Sequence, residues 1–217
     1  MRIRSMSKRI QSASEEAANS ATHAISLIVF VAVIPYFLRV SSSGTRGSAF
    51  VAGCAVFAVT LVVIYLASIL YHAMSPGIAK RVLMRLDNAA IYLFIAGSYT
   101  PIAFVNPSST MTALLLPTVW VIAIAGFALK LLGYITRYSV ALWSYLLLGW
   151  VAVASAFPIL AQTTGPSVTW LIAGGIAYSI GAIFYYFDTR FRFAHAVWHV
   201  FVTVGTSCHF ITLLVVA

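Results

Sequence analysis

Seven apolar stretches decide what this chain can become. Residues 21–40, 48–72, 86–105, 110–130, 139–160, 167–188 and 193–216 each approach the roughly 20 residues that carry a helix across a bilayer. Of the whole chain, 62% is hydrophobic and 8% charged, against about 25% charged in soluble domains. The expectation is an all-α integral membrane protein, a seven-transmembrane helix bundle. Pro117 interrupts the fourth stretch, which makes six the main competing count. Everything outside the spans is short, so residues 1–217 form a single helical domain, opened by a short polar segment over 1–20.

The charges set the orientation. Arg2, Arg4, Lys8 and Arg9 precede the first span, and Lys80, Arg81 and Arg85 lie between the second and third. Lys130 and Arg137 flank the connection after the fourth span, and Arg190 and Arg192 fill that after the sixth. With seven spans all of these face one side, and only Arg39 and Arg46 face the other. The positive-inside rule then places the N-terminus in the cytoplasm and the C-terminus outside. The net charge of +9 is accounted for by topology and lipid headgroups, which excludes a nucleic-acid surface. The first twenty residues hold no apolar h-region and no small-residue cleavage site, so the first span reads as an uncleaved anchor. Cys54 and Cys208 fall inside spans and read as buried, apolar-like thiols rather than a disulfide.

Ser41-Ser42-Ser43-Gly44, Asn106-Pro107-Ser108-Ser109 and Thr163-Thr164-Gly165-Pro166 carry turn chemistry. Residues 73–85 form the longest expected connection, lying at the inner membrane surface. Gly174-Gly175 and Gly181 suit close helix packing.

Against this apolar background the histidines stand out. His195 and His199 are four residues apart at the start of the seventh span, hence on one helix face and close enough to share a metal ion. His72 ends the second span, which runs inward, and Asp87 opens the third. Three helices distant in sequence thus bring three imidazoles and a carboxylate to one membrane level. Ionisable groups at such depth mark a functional site by default. Three histidines suit Zn²⁺ and leave a fourth position for water, whose pKa such a site lowers to about 7. Asp87 is then placed to orient that water or accept its proton. Its alternatives are an interfacial pair with Arg85 or a helix cap. Ser68, one turn before His72, can bond the water or a developing oxyanion, or else bond back to its own helix.

His209 lies ten residues beyond His199, about 15 Å deeper, too far to ligate the same ion. A hydrogen bond to another span, at the floor of a cavity, is expected for it. Glu16, Asn19 and His23 form one polar stripe leading into the first span. It is either a solvated entrance or a cover over the metal site. Asp188, Arg190 and Arg192 read as a topology loop.

With these residues in place, the chain resembles the haemolysin III family, within the wider progestin and adipoQ receptor superfamily. Three blocks carry the likeness. Glu15-Glu16-Ala-Ala-Asn19 leads to Thr22-His23. Ser68-Ile-Leu-Tyr71-His72 continues into Leu86-Asp87 and Ile95-Ala-Gly97-Ser98-Tyr99-Thr100-Pro101. His195-Ala-Val-Trp198-His199-Val-Phe201 precedes Gly205 and His209. The resemblance implies seven helices, a cytoplasmic N-terminus and zinc held by His72, His195 and His199. It further implies that Asp87 holds a zinc-bound water, with Ser68 beside the site. In adiponectin-receptor and alkaline-ceramidase relatives the pattern is linked to hydrolysis of lipid amides such as ceramide. For bacterial members it implies membrane-integrity or lytic roles. The short polar N-terminal segment, in place of the receptors' long domain, points to a bacterial plasma-membrane protein.

The leading expectation is therefore a zinc-dependent hydrolase of a lipid-like amide, with membrane lipids as its partners and substrate entering the helix bundle. The alternatives are a sensor with a structural zinc and a pore-forming cytolysin. Uniformly apolar spans argue against a wide aqueous pore in a monomer. The absence of acids from span centres argues against a proton or ion transporter.

Overall fold

A computed structural model describes residues 11–163 and 165–217, with the Met111 side chain left aside. Seven α-helices fill them: α1 (Ala13–Ser43), α2 (Ser48–Ala73), α3 (Ile78–Ala103), α4 (Thr110–Leu131), α5 (Tyr138–Leu160), α6 (Ser167–Tyr186) and α7 (Ala194–Val216). All but α3 are long and apolar enough to cross a membrane. Large apolar side chains such as Ile28, Val121, Trp143, Leu147 and Ile183 cover the outer surface. In water such a surface would be an aggregation hazard, whereas against acyl chains it is the solvated face. The chain is a multi-pass membrane protein.

Two helices begin well before their apolar stretches. α1 starts at Ala13 because Ser12 caps it: the Ser12 hydroxyl accepts from Glu15 N–H at 3.4 Å, and the Glu15 carboxylate accepts from Ser12 N–H at 2.9 Å. This reciprocal pair is a capping box, and it carries Glu15, Glu16, Asn19 and His23 into the bundle on a regular helix. α3 starts at Ile78, which corrects the expectation of a long surface connection over 73–85. Only residues 74–77 separate α2 from α3. Lys80, Arg81, Arg85 and Asp87 therefore ride on the first turns of α3, and they make its N-terminal part too polar to resemble a span. Pro117 lies within a continuous α4, so it does not divide the fourth stretch.

The helices close into a ring in which α1 packs on α2 and α7, α2 on α3, α5 on α6 and α6 on α7. α3 also packs against α4 and α5 and touches α7. Its residues Ala96 to Ala103 are buried without a break, the pattern of a helix enclosed on every side. Glycine supports the close approach of α6 and α7. A Cβ on Gly181 would sit 2.7 Å from the Phe201 Cβ, and one on Gly174 would collide with the His209 ring. Gly175 is different, since a Cβ there would meet Trp150 of α5 at an ordinary 3.5 Å. Cys54 and Cys208 are both free and buried.

Candidate metal centre

The C-terminus of α2 and the N-terminus of α7 meet at the end of the bundle that carries the basic connections. His72 comes from the last turn of α2, and His195 and His199 from the first two turns of α7. Their ring centroids form a nearly equilateral triangle with sides of 5.0, 5.1 and 4.7 Å. One nitrogen from each lies within 4.8 Å of the others, and all three residues are buried, so the group can hold one metal ion.

What the other nitrogens do is more telling. His72 Nδ1 lies 2.6 Å from the Glu16 carboxylate. His195 Nδ1 lies 2.9 Å from the Asp188 carboxylate. His199 Nδ1 lies 3.0 Å from the Asn19 carbonyl oxygen, with Thr22 Oγ1 at 3.2 Å. Each of these three oxygens accepts, so each ring carries its proton on Nδ1 and turns a bare Nε2 lone pair elsewhere. His72 Nε2 is fully buried and has no hydrogen-bond partner. An orphaned buried acceptor is costly, and a cation removes the cost. Carboxylate or carbonyl oxygens behind ligating imidazoles are the usual support of a metal site. The residues present therefore fit a metal ion.

Charge points the same way. The chain has four acidic residues, and all four are at this place. Glu16 also pairs with Lys80 at 2.9 Å, and Lys80 in turn donates to the Tyr71 and Met74 carbonyls, both at 3.1 Å. Glu15 accepts from the Phe193 N–H at 3.0 Å. Phe193 is the one non-glycine residue with positive φ among those described (59°), an unfavourable backbone for a bulky side chain, so Glu15 fixes the turn that launches α7. Asp87, half-buried, stands beside Ser68 and His195. The next residue, Asn88, is gripped from two sides: Tyr145 of α5 donates to its carbonyl at 2.8 Å and Tyr185 of α6 to its side-chain oxygen at 2.9 Å. No ion pair joins Asp87 to Arg85 among the described residues. Ser68 is buried with its hydroxyl beside the Asp87 carboxylate, and it does not bond back to its own helix.

The structure decides three further points. The α1 stripe is a cover, not a solvated entrance: Asn19 and His23 are buried, and only Glu16 keeps partial exposure. The His23 ring stacks on His199 at 3.6 Å and 13°, and it stands outside the three-histidine group. Asp188 is the clearest correction. It was expected in a topology loop beside Arg190 and Arg192, yet it is buried at 7% exposure against His195. The signal was present in the sequence, for a chain with so few acids places a carboxylate seven residues before a candidate ligand.

Beyond the triangle a cavity runs between α3, α5, α6 and α7. Its near end is formed by Trp198, Ala182 and Tyr145, its walls by Ile91, Phe94, Ile95 and Val202, and its far end by Ile102, Leu171 and His209. Trp150 bridges α5 and α6 at the lipid-facing side, donating to Ser179 at 3.1 Å.

A family model described as "Haemolysin-III related" matches residues 11–210. The chain belongs to the haemolysin III family. It is 35% identical to "Hemolysin-3" of Bacillus cereus over 211 residues, covering 96% of this chain and 94% of that one. It is 32% identical to a "Hemolysin-3 homolog" of Bacillus subtilis over 202 residues, covering 92% and 93%. A more distant relative is the human "Monocyte to macrophage differentiation factor", 27% identical over 206 residues, covering 90% and 82%. The family resemblance carried by the three sequence blocks is thereby established.

Proposed function

We propose that this haemolysin III member is a zinc-dependent hydrolase of a lipid-like amide, working at the cytoplasmic face of a bacterial plasma membrane. The observation that carries the reading is the set of three imidazoles, each tied at Nδ1 to an oxygen and each free at Nε2. Three neutral imidazoles favour zinc over harder cations and leave a position open for a reacting group. When bound, the ion supplies a Lewis acid that polarises a carbonyl and makes water acidic.

The remaining roles fall to the chain itself. Glu16, Asp188 and the Asn19 carbonyl hold the three rings in one tautomer and orientation. Asp87 accepts the proton of the attacking water. The Ser68 hydroxyl, beside Asp87, donates to the oxygen on which negative charge develops. The cavity behind Trp198 takes the hydrocarbon part of the substrate, and its apolar lining keeps bulk water away.

The same reading supplies the topology. α3 is 26 residues long, enough to cross despite its polar first turns, and it packs against α2, α4 and α5. Seven spans put the basic connections and the metal centre on the cytoplasmic side, with the C-terminus outside. The Bacillus relatives support a plasma-membrane location.

Metal analysis of the purified protein tests the first step. About one zinc per chain is expected, lost in the His195→Ala/His199→Ala protein. Equal, negligible zinc in both would end the metal reading. Turnover of ceramide-like amides tests the second, and Asp87→Ala should abolish it while zinc is retained. Zinc retained with no amide turned over by the wild type would make the ion structural.

A further inference from the structure

The far end of the cavity is not apolar throughout. His209 of α7 and Tyr99 of α3 both line it, at 7% and 2% exposure. Neither His209 nitrogen has a hydrogen-bond partner, and neither does the Tyr99 hydroxyl. Ser155, whose hydroxyl donates to the Val151 carbonyl at 2.7 Å, lies near the Tyr99 hydroxyl without reaching bonding geometry. Leu171 offers a carbonyl near His209 without reaching bonding geometry. The histidine is not loosely placed. Its ring lies against Gly174, where no Cβ fits, and edge-on to Tyr178 at 5.4 Å. Tyr178 is itself pinned through a 3.0 Å hydrogen bond to Thr206.

Two rigid, buried polar groups without partners are expensive in a membrane interior. They also share one depth. Tyr99 is twelve residues beyond Asp87 on α3 and His209 ten beyond His199 on α7, which places them about 18 and 15 Å from the metal level. No lysine, arginine or carboxylate lines the cavity, so a charged ligand group has no counter-ion there. A neutral hydroxyl fits, since it both donates and accepts, as imidazole and phenol do.

We propose that Tyr99 and His209 form a polar floor that selects lipid chains carrying a hydroxyl about 15 Å from the end held at the metal centre. The floor acts as a ruler. A chain with its hydroxyl at the right distance satisfies both side chains, and a plain chain of equal length leaves them bare. The inference rests on the cavity receiving the hydrocarbon part of a ligand, as proposed above, but not on turnover.

Binding of saturated fatty acids of increasing length, each compared with its ω-hydroxy derivative, tests it. Quenching of tryptophan fluorescence is a suitable readout, because Trp150 and Trp198 stand at the cavity wall. The hydroxylated chain should bind about five- to tenfold more tightly at one chain length and lose that advantage at others. Tyr99→Phe and His209→Leu, which remove the polar groups and keep apolar bulk, should each shrink the preference, and the double variant should abolish it while plain-chain affinity holds. Equal binding of hydroxylated and plain chains at every length would overturn the proposal and leave ordered water as what satisfies the floor. A preference that survives in the double variant would overturn it too. The comparison repeated in the His195→Ala/His199→Ala protein reads the floor without the metal centre. Failure of the hydrolase reading and failure of the floor are thus separate results.

Discussion

α7 carries histidine at two depths, and the two differ in one respect that the sequence does not display. At the basic end, His195 and His199 each have Nδ1 engaged by an oxygen from another segment. At the far end, His209 has neither nitrogen engaged. The residue type, the helix and the degree of burial are nearly the same. What separates them is the oxygen supplied by neighbours, because a hydrogen bond at one nitrogen fixes the tautomer and aims the other. The first arrangement prepares a ring to donate a lone pair in a fixed direction. The second leaves a ring able to serve as donor or acceptor for whatever enters the cavity.

Replacing one histidine from each end breaks the comparison most directly. His199→Ala should remove a ligand and lower metal affinity by more than about 100-fold, since a two-imidazole site does not hold a structural or catalytic zinc. His209→Ala should leave metal content unchanged. Chelator competition on purified protein measures both. Equal loss in the two variants would mean that the metal responds to the general stability of α7 and not to the triangle.

The contribution of the supporting oxygens comes next. Asp188→Ala removes the acceptor behind His195, and losses of about 10- to 100-fold in metal affinity accompany such changes. Asp188→Asn keeps an oxygen within reach of Nδ1 and should recover much of the loss. If alanine and asparagine behave alike, or if neither alters affinity, the 2.9 Å contact does not orient the ring.

These oxygens also mark where the sequence stops being readable. Long apolar runs located every helix, because the lipid phase forces each span to satisfy its own backbone. Helix starts were missed at α1 and α3, where polar residues on a helix look like connection. The convergence of His72, His195 and His199 followed from span direction, which the basic residues reported. The support of those rings was only partly visible. Glu16 and Asp188 are acids with many plausible roles in a chain seen as a line, and only folding brings Asp188 back over the helix it precedes. The oxygen behind His199 belongs to the backbone of Asn19, and every residue has one, so no pattern of side chains could have announced it. His209 was legible as too deep for the ion, yet its lack of a partner depends on three other helices.

The neighbouring glycines of α6 sharpen the comparison at the far end. Gly174→Ala would press a methyl group into the His209 ring, whereas the same change at Gly175 meets only an ordinary contact with Trp150. Overpacking of this kind costs about 1–3 kcal/mol. The first variant should lower thermal stability in detergent and disturb chain binding, and the second should change neither appreciably. A Gly175→Ala protein as unstable as Gly174→Ala would show that helix flexibility, not the seat of His209, is what the pair of glycines provides.

The smallest effect belongs to Lys80, which bears on the near-end histidines through Glu16 behind His72. Its ammonium lies 2.9 Å from the Glu16 carboxylate and also donates to two carbonyls at the end of α2. Pairs that keep some contact with solvent contribute about 0–1 kcal/mol. Lys80→Met should therefore cost little stability and only a few-fold in metal affinity, through a less constrained Glu16 behind His72. Raised salt should mimic part of that loss in the wild type and add nothing to the variant, because screening acts on the exposed pair and far less on the buried Asp188–His195 contact. A loss of metal as large as that of Asp188→Ala would place Lys80 among the groups that hold the centre together, and would mean that the α2–α3 turn, more than the loop before α7, sets its geometry.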